Sequence, residues 1–188
     1  AAERDMQVVG DAESAREAIN IIRQTACDVV VLDITLPNGS GLDVLSQLKS
    51  ERPALPVLIM SIHDEKQYAL RVLKAGASGY LMKNSIPEEL IKAIRKVTAG
   101  GRYVSPSLAE RLVSGFSSPG KSPHEKLSDR EFQILCLIAS GKSLKDIGTT
   151  LSISGKTVSS YRTRIMEKMN MKTNADLVGY ALQNKIIE

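Results

Sequence analysis

Three apolar runs in the first half of the sequence each end in a side chain suited to handling a phosphoryl group. VVVLD ends in Asp33, PVLIMS in Ser61 and GYLMK in Lys83. Short runs of this kind, rich in β-branched and aliphatic residues, predict strands buried on both faces. In an open parallel sheet the functional groups gather beyond the carboxyl ends of the strands. A carboxylate, a hydroxyl and an ammonium meeting there suit phosphoryl transfer. The carboxylate attacks phosphorus. The ammonium neutralises charge on the transferred group, and the hydroxyl donates to a phosphoryl oxygen. Mg2+ would bridge Asp33 and the incoming phosphate.

Hydrophobic period predicts the elements that must carry these groups. Met6–Gly10 reads as a short strand. Ser14–Thr25 is helical, with Ala15, Ala18, Ile19 and Ile22 on one side. Asp28–Ile34 is a strand, Gly41–Ser50 a helix with Leu42, Leu45 and Leu48 aligned, and Pro56–Ser61 a strand. Asp64–Ala75 is helical, Gly79–Met82 a strand, and Pro87–Ala99 a helix with proline in its first turn. Strand alternating with helix predicts a parallel, doubly wound sheet. The stretch FSSPGKSPHEK, residues 116–126, reads as an exposed linker. Beyond it every segment is helical. Ser128 caps Asp129–Ser140 with Glu131 completing a capping box, and Gly141 stops that helix. A second helix, Ser143–Leu151, leads through Ser152, Ile153 and Ser154 into a longer one, Gly155 to about Met169. The last helix runs from Asn174 to about Asn184. Two helices joined by a tight turn predict a helix-turn-helix.

Residues 154–169 carry Lys156, Arg162, Arg164 and Lys168 against one acid, Glu167. Val158, Ile165 and Met169 recur at helical spacing and predict the inward stripe. The outward face then presents Lys156, Ser159, Ser160 and Thr163. A helix entering the major groove needs short polar side chains for base edges and cations for phosphates. Residues 1–115 hold 14 Lys/Arg and 14 Asp/Glu, whereas residues 116–188 hold 11 and 7. The whole net charge of +4 therefore lies in the second part, which points to a polyanionic partner.

Composition narrows the classes. At 188 residues and 43% hydrophobic the chain reads as one or two globular domains, and with 4% aromatics and no Trp their cores must be aliphatic. No run of about 18 apolar residues predicts a membrane span. The start, AAERDMQVVGD, lacks the pattern of a secretory leader. Cys27 and Cys136 lie far apart in apolar surroundings and read as buried thiols of a reducing compartment. His63 and His124 have no neighbours at metal-ligand spacing, which argues against zinc. No phosphate-cradling glycine-rich loop follows a strand, which argues against a flavodoxin-like enzyme or flavin carrier.

The segments VVVLDITLPNGSGLDVL, PVLIMSIHDE and AGASGYLMKNS resemble the receiver domains of two-component response regulators, over roughly residues 6–112. The resemblance implies a flavodoxin-like α/β doubly wound fold. It implies Asp33 as the phosphorylated residue, the Thr35 backbone carbonyl as a Mg2+ ligand, Ser61 and Tyr80 as switch residues, and Lys83 as the lysine of the site. Pro37 and Gly41 would shape the loop after the acceptor. Residues 127–187 are similar to the LuxR-type DNA-binding domain that ends the NarL/FixJ subfamily, in the stretches LSDRE, GKSLKDIGTTLSIS and KTVSSYRTRIMEKM. This second resemblance implies an all-α four-helix unit. Ser159, Ser160 and Thr163 would touch bases, and Lys156, Tyr161, Arg164 and Lys168 phosphates. Leu177, Val178, Tyr180 and Ala181 would pair two such domains, core packing being the alternative.

Receivers begin with a strand ending in an acidic pair, then a helix. Neither has a counterpart in these residues, so Mg2+ is expected of the intact receiver. The expected layout is a receiver at residues 1–115, a linker at 116–126 and a DNA-binding domain at 127–188. The expected protein is a cytoplasmic, homodimeric response regulator that binds double-stranded DNA. A histidine kinase phosphorylates it at Asp33. It is no enzyme beyond assisting that transfer. The alternative is a degenerate receiver serving only as a dimerisation module.

Overall fold

Parallel strands need a crossover between them, and the sequence supplies a helix at each crossover. A computed structural model describes residues 3–36, 39–61, 65–106, 108–110 and 122–187. Helix α1 (Ala15–Gln24) precedes strand β1 (Val30–Asp33). A small antiparallel pair follows, β2 (Thr35–Leu36) with β3 (Gly39–Ser40). Then come α2 (Gly41–Glu51), β4 (Val57–Ser61), α3 (Glu65–Lys74), β5 (Gly79–Met82) and α4 (Pro87–Thr98). Among the described residues the main sheet has three parallel strands in the order β1-β4-β5. Leu32, Val57, Leu58, Ile59 and Leu81 in the strands and Leu42, Leu45, Leu48, Ala93 and Val97 in the helices are buried. Strands β4 and β5 are buried on both faces as their apolar runs require, whereas β1 buries only Leu32. The chain divides into two compact units, Ala1–Ile62 with Arg71–Val104, and His63–Leu70 with Ser105–Glu188.

The expected strand at Met6–Gly10 does not form. Val8 is 83% and Val9 49% exposed. A strand is stable only beside a partner that completes its ladder, and among the described residues none lies alongside this segment. Among the described residues no strand pairs with the outer edge of β1, and Val31 is 43% exposed. The start of the chain is instead held by charge. Arg95 on α4 donates from Nη2 to Glu3 Oε2 at 2.6 Å and from Nε to Asp5 Oδ2 at 3.0 Å. Arg23 on α1 pairs with Glu51 on α2, donating from Nε to Oε2 at 2.9 Å.

In the second unit the end of the expected linker is folded, as the 3-10 helix Pro123–Lys126. Proline at its first position presets the required φ. Helix α5 (Asp129–Ala139) opens with the anticipated capping box. Ser128 Oγ accepts from the Glu131 backbone N–H at 3.3 Å, and Glu131 Oε2 accepts from the Ser128 N–H at 2.7 Å. Helices α6 (Leu144–Leu151), α7 (Gly155–Met169) and α8 (Asn174–Gln183) follow, each with a Ser or Thr cap. Ile134, Leu135, Ile147, Leu151, Val158, Ile165 and Leu177 form their core at 0% exposure. Cys136 is buried as expected, whereas Cys27 is only half-buried, and both are free thiols. No described helix is long and apolar enough to cross a membrane.

Candidate functional site

Parallel register puts the three reactive strand ends on one edge of the sheet. Asp33 pairs with Met60, one residue before Ser61, and Ser61 pairs with Met82, one residue before Lys83. The Lys83 backbone N–H donates to the Ser61 carbonyl at 2.8 Å. Lys83 Nζ reaches across the middle strand and donates to Asp33 Oδ2 at 2.6 Å. The other carboxylate oxygen, Oδ1, accepts the Thr35 backbone N–H at 2.9 Å. The Asp33 and Lys83 side chains are 26% and 41% exposed, so the pair is open to a reactant from solvent. Ser61 and Tyr80 are buried, and the Tyr80 N–H donates to the Tyr103 carbonyl at 3.0 Å.

Gly41 sets the distance between the acceptor strand and α2. Its N–H donates to the Ile34 carbonyl at 2.9 Å, and a Cβ there would lie 2.0 Å from the Asp33 carbonyl oxygen. Glycine alone admits that approach. Pro37 and His63 lie outside the described residues. A metal ion here would find the Asp33 carboxylate and the Thr35 carbonyl. No group of three His, Cys, Asp or Glu side chains comes together among the described residues. Mg2+ takes six oxygens in octahedral array, so these two donors are an incomplete set.

The helix-turn-helix is built by close backbone contact. Gly148 in α6 accepts the Ile153 N–H at 2.9 Å, and a Cβ on it would sit 2.7 Å from the Ile153 carbonyl oxygen. Ser152 closes α6 in the left-handed region at φ 53°. Ser154 caps α7 by accepting the Thr157 N–H at 3.0 Å. As its period requires, α7 buries Val158, Ile165 and Met169. Lys156, Ser159, Ser160, Thr163 and Arg164 are exposed and Tyr161 is half-buried. The Arg164 guanidinium sits 5.9 Å from the centre of the Tyr161 ring. Ser160 and Thr163 donate to the Lys156 and Ser159 carbonyls, which turns hydroxyl lone pairs outward as acceptors.

Other site residues fall differently. Lys168, expected at a phosphate, donates to Glu131 Oε2 at 2.7 Å. Arg162, which had no expected role, donates from Nε to Asn174 Oδ1 at 2.6 Å and ties α7 to α8. Leu177 and Ala181 are 0% exposed inside their own unit and cannot face a second copy. The stripe expected to pair two domains reduces to Val178 and Tyr180, both half-buried. Tyr180 also shares a hydrogen bond of 2.7 Å with His124 Nδ1. Sequence reasoning missed Arg130 and gave Glu131 no role beyond the cap. Arg130 is 9% exposed, and a buried guanidinium signals partners. Its Nη2 donates to the Leu151 carbonyl at 3.0 Å and its Nη1 to Gln133 Oε1 at 2.6 Å.

A parallel sheet with a lysine-paired aspartate at its carboxyl edge, joined in one chain to a helix-turn-helix with a polar outer face, defines a receiver linked to a DNA-binding domain. Residues 1–95 match the response regulator receiver domain family and residues 125–181 the luxR family of bacterial regulatory proteins. The oxygen regulatory protein NreC of Staphylococcus epidermidis is 40% identical over 99% of this chain and 89% of its own length. The response regulator UvrY of Escherichia coli is 33% identical over 96% of this chain and 84% of its own. RcsB from Salmonella enterica, solved bound to a promoter with the phosphomimetic BeF3-, is similar in structure at a TM-score of 0.59. It is 25% identical and covers 92% of this chain and 84% of that one. A LuxR-family response regulator from Aurantimonas is 36% identical at a TM-score of 0.55, over 62% of this chain and 84% of that one. The chain belongs to the NarL/FixJ-type response regulators, transcription factors that join a receiver to a LuxR-type DNA-binding domain. The family consists of DNA-binding regulators rather than typical enzymes, and receivers generally use Mg2+ for phosphorylation.

Proposed function

We propose that Asp33 accepts a phosphoryl group from a histidine kinase and that this modification controls how a homodimer binds specific DNA through α7. The observation that carries the reading is the 2.6 Å contact from Lys83 Nζ to Asp33 Oδ2 at the edge of the parallel sheet. An Asp33 oxygen attacks the phosphorus of the kinase phosphohistidine, and the phosphorus–nitrogen bond breaks. The imidazole leaves and takes a proton from solvent, and an acyl phosphate remains. The Lys83 ammonium offsets charge on the phosphoryl oxygens, and the Ser61 hydroxyl donates to one of them. Asp33 and the Thr35 carbonyl would hold Mg2+, which would supply further charge neutralisation. Ser61 and Tyr80 shift towards the new group and bias the equilibrium between inactive and DNA-competent forms.

On the DNA, Ser159, Ser160 and Thr163 read base edges, while Lys156, Tyr161 and Arg164 hold phosphates. The receiver occupies residues 1–115, the linker 116–126 and the DNA-binding domain 127–188. The protein works in the cytoplasm, where kinase and chromosome are both reached. The test is binding to a duplex enriched from a randomised pool, with and without phosphoramidate and Mg2+. Phosphorylation is expected to tighten binding about 5- to 150-fold. Equal affinity in both states sinks the switch. The incomplete metal donor set favours a second reading, a receiver that only dimerises. That reading requires that no acyl phosphate form at Asp33 in the intact protein.

A further inference from the structure

In the second unit, two adjacent side chains at the start of α5 each grip a different helix of the helix-turn-helix. Arg130 donates to the Leu151 carbonyl, the last residue of α6, at 3.0 Å. Glu131 accepts from Lys168, in the last turn of α7, at 2.7 Å. Both Arg130 and Glu131 are buried, at 9% and 3% exposure. The two helices they hold are the two whose mutual angle decides how the outer face of α7 meets a groove. Glu131 is moreover fixed to its own helix start, because the same Oε2 accepts the Ser128 N–H at 2.7 Å. Burial raises the Glu131 carboxyl, but hydrogen bonds from Lys168 and the Ser128 backbone outweigh it and hold it below the ordinary range. The Glu131 carboxylate therefore keeps its charge at neutral pH.

We propose that Arg130 and Glu131 are positioning residues for DNA recognition, with Lys168 serving as the lever on α7 rather than as a phosphate contact. The proposal rests on the reading that α7 enters DNA. A cation spent on a buried carboxylate is not available to release counterions, so Lys168 contributes little to the salt dependence of binding. Loss of the grip at either end tilts α7, and tilt harms base contacts, which need defined hydrogen-bond geometry, more than phosphate contacts.

The experiment uses the full chain and two duplexes, one enriched from a randomised pool by the wild-type protein and one of scrambled sequence. Glu131→Gln, Lys168→Met and their combination are compared over a salt series, below the unfolding temperature of each. Each single variant is expected to lower the ratio of the two affinities about tenfold, within the range of coupled contacts. The double variant loses no more than either single one, and the salt slope stays at the wild-type value. Lys168→Arg, which keeps a donor for Glu131, retains most of the ratio. Ser128→Ala removes the cap, costs stability and leaves the ratio unchanged. If Lys168→Met lowers the slope by about 0.9 and leaves the ratio intact, Lys168 is a phosphate contact and the proposal falls. It falls equally if the variants weaken both duplexes alike, since that reports only a smaller folded fraction. A wild-type chain that does not distinguish the duplexes overturns the DNA reading itself.

Discussion

Asp33 is bound on both oxygens, by the Thr35 amide from one side and the Lys83 ammonium from the other. The first bond fixes where the carboxylate points, and the second places positive charge where a phosphoryl group must arrive. Lys83→Met is therefore expected to slow acyl phosphate formation from phosphoramidate about 100-fold, the size of effect seen when one preorganised charge-stabilising donor is lost. Because the pair is exposed, the same change leaves the melting temperature nearly unmoved. A second carboxylate speaks to stability alone. Hydrogen bonds from Arg23 and then Gln47 lower Glu51 from 4.5 to about 2. A carboxyl depressed in the fold stabilises fully above its unfolded value and loses that contribution as pH falls through the folded one. Acid unfolding followed by circular dichroism is expected to show this loss between pH 4.5 and about 2. Glu51→Gln flattens that interval, and added salt shrinks the difference.

Two joints between elements depend on glycine for lack of room. At Gly41 the first turn of α2 rests on the acceptor strand, and at Gly148 the turn before α7 rests on α6. A methyl group at position 148 would collide with the Ile153 carbonyl, which is backbone and cannot rotate aside. Gly148→Ala is thus expected to cost about 1–3 kcal/mol in chemical denaturation, as overpacking does. The DNA-binding unit should absorb that loss while phosphorylation at Asp33 proceeds at its usual rate. Capping adds a smaller increment at each helix start, and the repeated Ser or Thr caps of the second unit explain why its helices begin where the sequence says they do.

Across the molecule, charge separates the two roles. The neutral first part suits a module that meets another protein, and the +4 of the second suits a polyanion. DNA binding is therefore expected to weaken steeply with salt. Lys156→Met and Arg164→Met should each lower the slope of log affinity against log salt by about 0.9. Neither should alter the preference between duplex sequences, because a phosphate contact is blind to bases. A full slope after both substitutions would place the DNA on another face.

Much of this protein is written locally. Apolar runs of strand length ending in Asp33, Ser61 and Lys83, serine caps, and the 3.6-residue stripe of α7 are patterns of a few neighbours, and all are legible in the sequence alone. Met6–Gly10 has an apolar character like those runs yet forms no strand and leaves Val8 and Val9 exposed, because strand formation is a property of a pair. Leu177 and Ala181 look like an interface stripe, but packing against other helices of the unit takes them to 0% exposure. The grip of Glu131 on Lys168 spans 37 residues, and the pairing of Asp33 with Lys83 spans 50. Periodicity assigns each of those residues to an element and a face. Which distant side chain it meets is fixed only when the elements dock, since contact between remote positions depends on packing angles that no local pattern encodes.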